Sequence, residues 1–156
     1  MDINTETELE YVGFWARVLA SIIDSVLVIV ILAPILYAVY GAAYFQFTSP
    51  MSGTTDILFS YVLPATAVLA FWIARQATPG KMAISARIVD AKTGNAPSVG
   101  QYIGRYLGYY VSMLPLGLGL LWVAFDPRKQ GWHDKLAGTV VVRPKRHGTE
   151  PVRFEK

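Results

Sequence analysis

The chain has 156 residues, of which 53% are hydrophobic and 16% charged, with a net charge of +3 and a mean hydropathy of +0.37. Soluble domains carry about a quarter charged residues, so this balance excludes intrinsic disorder and argues against an ordinary soluble fold. The chain has no cysteine, which excludes disulfides, cysteine–zinc sites, iron–sulfur clusters and a cysteine nucleophile.

The length predicts one domain. Residues 1–10 hold Asp2, Glu6, Glu8 and Glu10 and no Lys or Arg. A cleaved signal begins with a basic segment, so this stretch is expected to stay on the protein as a short, mobile acidic tail. Between Arg17 and Asp56 lie 38 residues, with Asp24 the sole charge among them. The windows Ile57–Ala74, 18 residues, and Tyr106–Phe125, 20 residues, carry no charge. About 20 apolar residues at 1.5 Å each cross a hydrocarbon core of about 30 Å. The reading is an all-α integral membrane protein with three charge-poor helical segments, at about 12–40, 57–74 and 99–125. Helices buried in a soluble bundle would need polar faces, and Val26–Leu36 has almost none.

Lys and Arg set the orientation. The loop Gly41–Asp56 has none, whereas Arg75–Arg105 has five: Arg75, Lys81, Arg87, Lys92 and Arg105. The insert 75–98 and the N-terminus are therefore expected in the cytoplasm. The chain after Phe125 holds eight Lys and Arg against four acids, yet a third full span would send it outside. Pro115, Gly117 and Gly119 break the third window. A helix from about Ser98 to Leu114, a bend and a shorter helix from Leu116 to Phe125 would keep both ends inside; a kinked single span is the alternative. Ala83–Val89 and Thr139–Val142 read as short strands of a cytoplasmic ribbon, whose pairing would also hold the C-terminal side in the cytoplasm. Residues 11–144 form the domain, and 145–156 a basic tail. Arg143, Lys145 and Arg146 are expected in disordered chain, either as a retention signal or against anionic headgroups.

Several residues are costly where they stand. Asp24 lies about 18 Å into the first segment, mid-core, at an insertion cost of about 2.5–3.5 kcal/mol. Such a group marks an ion or proton path or anchors helices together. Arg17, seven residues earlier, either reaches toward Asp24 or snorkels to the interface. Gly100, Gly104, Gly108 and Ser112 recur every four residues, a ladder for close helix packing within or between chains. Arg105 adjoins that ladder and is a candidate partner of Asp24 or Asp134. Trp15, Tyr44, Trp72 and Trp122 read as interface anchors. His133 and Asp134 are sequence neighbours, about 100° apart on a helix, which does not make a catalytic dyad. Capping, or an ion pair to Arg17, Arg105 or Lys135, is the simpler role for Asp134. No metal-ligand spacing, phosphate loop or nucleophile motif occurs, so no enzyme, cofactor, metal or nucleic-acid partner is expected.

Three blocks together resemble the RDD family of small bacterial membrane proteins. They are Gly13-Phe14-Trp15-Ala16-Arg17 with Asp24; Thr78-Pro79-Gly80-Lys81 leading into Ala86-Arg87-Ile88-Val89-Asp90; and Gln130-Gly131-Trp132-His133-Asp134-Lys135-Leu136-Ala137-Gly138-Thr139. The resemblance covers Tyr11 to Pro144, and the Arg and two Asp that name the family fall on Arg17, Asp24 and Asp134. It implies a multi-pass protein of the bacterial inner membrane, commonly linked to transport, with cation/proton antiport reported for some members. In that reading Asp24 carries a proton or small cation, Arg17 tunes it, and Asp134 serves a cytoplasmic gate. So few helices would need a homo-oligomer or a membrane partner to enclose a path. The alternative is a non-transporting accessory protein in which Arg17, Asp24 and Asp134 form one structural polar network.

Overall fold

A computed structural model describes residues 8–42 and 57–145. Strand β1 (Leu9–Tyr11) leads into α1 (Phe14–Tyr40), a helix of 27 residues. The run of Ile, Leu, Val and Ala carries α1 through Pro34 until Gly41, whose left-handed φ of 68° ends it. At 1.5 Å per residue α1 is about 40 Å long. It is the one continuous helix among the described residues that is long and apolar enough to cross a membrane. Val26, Leu27, Val28, Ile29, Val30 and Ile31 are all exposed. Six consecutive residues point around the whole helix, so this stretch is apolar on every side and uncovered by protein. That is the pattern of a helix solvated by lipid.

The second apolar window forms a π-helical turn, Leu58–Val62, running directly into α2 (Leu63–Arg75). Pro64 lacks an N–H and its ring crowds the carbonyl four residues back; the wider turn before it relieves that crowding. After α2 come the short α3 (Pro79–Ala83) and β2 (Arg87–Asp90). The third window is α4 (Val99–Met113), then α5 (Leu118–Leu121) with a 3₁₀ turn at Trp122–Ala124. Ser98 and Gln101 form a capping box at the start of α4. The axes before and after the break differ by 114°, with Leu116 and Gly117 left-handed at φ 54° and 76°. The bend thus falls where Pro115 and Gly117 predict it. Helix α6 (Trp132–Ala137) and β3 (Thr139–Pro144) complete the described chain.

The three strands form an antiparallel sheet in the order β1-β3-β2. Glu10 stands opposite Arg143, and Arg87–Asp90 stand opposite Val142–Thr139. Alternation along β3 sends Val141 to one face, with Ile88, Val12, Trp72 and Tyr102, and Val140 and Val142 to the other, with Val89 and Ala91. The sheet binds the start of α1, the insert and the end of the domain to one side of the molecule.

Several expectations change. The fold is mostly helical with the small sheet that the short strands predict, here three-stranded with β1 added, and α1 packs chiefly on the short α3 rather than in a helical bundle. The expected acidic tail ends as a strand: Glu10 is buried and ion-paired with Arg143, and Glu8 bonds Lys145 at 2.7 Å. Arg143 and Lys145 are therefore ordered partners of acids. Ala83 belongs to α3, so the insert strand starts at Arg87. Trp72 is 2% exposed and is a core residue; apolar composition alone does not separate a core face from an interface. The loop around Tyr44 and the tail from Arg146 lie outside the described residues.

Candidate functional site

Asp134 is fully buried on the first turn of α6. Its Oδ1 takes the Arg105 guanidinium of α4, and its Oδ2 takes Arg17 Nη1 of α1 at 2.6 Å. The backbone N–H of Gly131 donates to Oδ2 at 3.0 Å, so the same carboxylate caps its own helix. Arg105 also donates to Thr139 Oγ1 at 2.8 Å and lies over the rings of Trp72 and Tyr109, 5.4 and 5.8 Å from their centroids. Arg17 donates from Nε to the Val12 carbonyl at 3.0 Å and from Nη2 to the Lys129 carbonyl at 2.5 Å. One carboxylate and two guanidiniums thus join α1, α4, α6 and the sheet.

The loop before α6 is built for this. The Asp126 carboxylate accepts from the N–H groups of Arg128 and Gln130, both at 3.1 Å, which curls the chain. Lys129 is held left-handed at φ 51° and its carbonyl is the one facing Arg17. His133 is buried, stacks on Tyr109 at 4.0 Å and has Nε2 3.4 Å from Asp134 Oδ2. Burial, then the charges of Arg105, Arg17 and Lys81, push the imidazole far below its usual range. Although 100° apart by helical position, the two neighbours meet because the Asp134 side chain folds back over its own first turn.

Asp24 lies elsewhere. Its Oδ2 accepts from Thr78 Oγ1 at 2.5 Å and its Oδ1 from the Gly80 N–H at 2.6 Å. Thr78 begins α3, so a carboxylate on α1 closes the exposed amides of a helix 54 residues later in the chain. A Cβ on Gly80 would stand 2.0 Å from the Ala20 carbonyl oxygen, so only glycine allows this approach. Arg17, spent on Asp134, Val12 and Lys129, does not bond Asp24. The single network of Arg17, Asp24 and Asp134 is therefore two separate sites, and Arg105 partners Asp134 rather than Asp24.

Lys81, on α3, is buried between them, and two clefts of about 580 and 450 Å³ meet at Ser21, Lys81 and Tyr109. Of the glycine ladder, Gly108 is committed within the chain: its Cβ would stand 2.8 Å from His133 Cα. Ser112 Oγ donates to the Gly108 carbonyl and accepts the His133 N–H at 3.1 Å. Gly104 meets nothing within 4 Å. Sequence reasoning leaves Lys81, Thr78 and Tyr109 without roles. The signal for the first two is the Thr78-Pro79-Gly80-Lys81 block itself, whose glycine marks a close approach; nothing local marks Tyr109. Among the described residues no three His, Cys, Asp or Glu side chains gather as for a metal.

A family model described as the RDD family matches residues 11–138, and the chain belongs to that family, whose proteins are membrane-associated. An uncharacterized protein of Bacillus subtilis is 31% identical over 147 residues, which cover 83% of this chain and 95% of that protein. An uncharacterized protein of Rickettsia prowazekii is 36% identical over 94 residues, 56% of this chain. The match spans about half, 52%, of the length of the Rickettsia protein. No solved structure matches the chain.

Proposed function

We propose that this RDD protein is a multi-pass protein of the bacterial inner membrane that moves a small ion or solute, with proton or cation exchange at Asp24. The sheet and the Lys- and Arg-rich segments share one side, which the positive-inside rule assigns to the cytoplasm. Helix α1 leaves that side, the π-turn and α2 return to it, and the α4–α5 hairpin enters the membrane and turns back at Pro115–Gly117. The observation that carries the exchange reading is the contrast in what holds each acid. Two guanidiniums fix Asp134, whereas Asp24 is held by two neutral donors, Thr78 and Gly80. A carboxylate with neutral partners is free to trade a proton for a cation without breaking an ion pair. Thr78 also lines one of the two clefts, which supplies an approach.

The accessory reading has its own support: Asp24 closes α3 and Asp134 clamps four elements, so both acids have structural work without any flux. Proteoliposomes with a pH dye decide between them. Transport predicts proton flux driven by sodium, potassium or lithium salts in the wild type, and its loss in Asp24→Asn at matched folding and insertion. Absence of flux from inserted, folded wild type with every cation overturns transport and leaves the accessory role.

A further inference from the structure

Lys81 touches the Asp24 assembly only through Thr78. It is 8% exposed, yet its ammonium has one hydrogen bond, a long one of 3.5 Å to Thr78 Oγ1, of the three it is built to donate. Among the described residues no carboxylate forms an ion pair with it. Burial holds its ammonium below the usual lysine range, and the Arg105 and Arg17 charges push the same way, against the attraction of Tyr109 and Asp24. Arg17 and Arg105 are bonded to Asp134, and Asp24 to Thr78 and Gly80, which leaves the Lys81 ammonium without a carboxylate in contact. A buried ammonium so thinly bonded is costly to leave without acceptors.

The larger cleft has the shape of the missing partner. Arg17, Lys81 and His133 line it at the cytoplasmic end of α1, and Val26 and Ile29 line it further along, opposite Leu120. From Arg17 to Ile29 is 12 residues, about 18 Å of helix, close to half the thickness of a bilayer core. A cleft cationic at one end and apolar for the length of an acyl chain fits an amphiphile with a single negative charge. We propose that this cleft seats an acidic phospholipid of the cytoplasmic leaflet, its phosphodiester at Lys81 and one acyl chain along α1 toward Ile29. A phosphodiester supplies the acceptors that the Lys81 ammonium lacks, and the net negative charge of an acidic headgroup favours it over a zwitterionic one. The proposal rests on the membrane placement above and is independent of transport.

Thermal unfolding of the purified chain in neutral detergent tests it, with dioleoylphosphatidylglycerol, dioleoylphosphatidylcholine or inorganic phosphate added. The phosphatidylglycerol is expected to raise the midpoint by about 5–10 °C at a hundredfold excess over its Kd. Phosphatidylcholine and inorganic phosphate are expected to leave it in place. Lys81→Gln should lose the shift and Lys81→Arg keep it, while Arg87→Gln, on the exposed side of β2, should respond as the wild type does. Ile29→Trp should lose it by filling the apolar end, which keeps the test decisive if Lys81→Gln does not fold. Equal shifts with both lipids, or an equal loss in Arg87→Gln, overturn the site. A shift reproduced by phosphate alone, or retained in Ile29→Trp, means an anion site without a lipid and also overturns it.

Discussion

Asp134 and Asp24 are the same residue type in the same membrane-bound frame, yet they are held by opposite means. Asp134 lies where α1, α4, α6 and the sheet converge and answers two guanidiniums, so its charge is fixed by its neighbours and theirs by it. Asp24 lies on one helix against the first turn of another and accepts from a hydroxyl and an amide. The first arrangement fails as a unit if one member is lost. The second needs only acceptor oxygens, of which a neutral side chain of the same shape still offers one. Acidic residues in one fold therefore do not form one class: what donates to them decides how firmly their charge is fixed.

The sharpest way to break the comparison is to delete each charge. Asp134→Ala leaves Arg17 and Arg105 buried without a counter-ion and is expected to cost about 3–5 kcal/mol, read as loss of folded protein on urea or thermal unfolding in detergent. Asp24→Asn keeps an acceptor for Gly80 and is expected to cost about 1 kcal/mol. Equal costs would erase the distinction between the two sites. A second contrast lies on α4. Gly108→Ala should destabilise by about 1–3 kcal/mol through overpacking against the His133 backbone, whereas Gly104→Ala, in open space, should be neutral or stabilising by up to about 1 kcal/mol. Chemical unfolding of the two variants side by side measures the difference.

The smallest effect concerns the loop that presents Lys129. Burial acts against the Asp126 charge, but the Lys135 ammonium and the Gln130 and Arg128 amides outweigh it and hold the carboxyl below its ordinary 3.8. A depressed folded value means that the stabilisation is fully present above about pH 4 and is lost as pH falls through the folded value. Unfolding midpoints across that acid range should fall less steeply in Asp126→Asn than in the wild type.

Patterns that depend on near neighbours were legible in the sequence. The apolar windows, the helix start near Ser98, the break at Pro115 and Gly117 and the β-branched run at Thr139–Val142 all follow from local chemistry. The partners of charges did not, because Arg17 and Asp134 meet across 117 residues and Glu10 and Arg143 across 133. Any of three basic residues suited Asp134 on chemistry alone. Asp24 drew attention as a buried charge, but its donors are an amide and a hydroxyl, groups found everywhere in a chain and so invisible as partners. Lys81 looked like one of five cytoplasmic cations until α3 folded it under Asp24.

The order of the sheet has a consequence in time. Strand β3 lies between β1 and β2, yet it is the last of the three to be synthesised. From Leu9 to Thr139 is 130 residues, about 6–26 seconds of translation at about 5–20 residues per second. For that interval β1 and β2 have no strand to pair with, and the acids Glu8 and Glu10 have no Lys145 or Arg143. The sheet is therefore complete only after every helix has been synthesised, and β3 joins the two ends of the fold as a clasp.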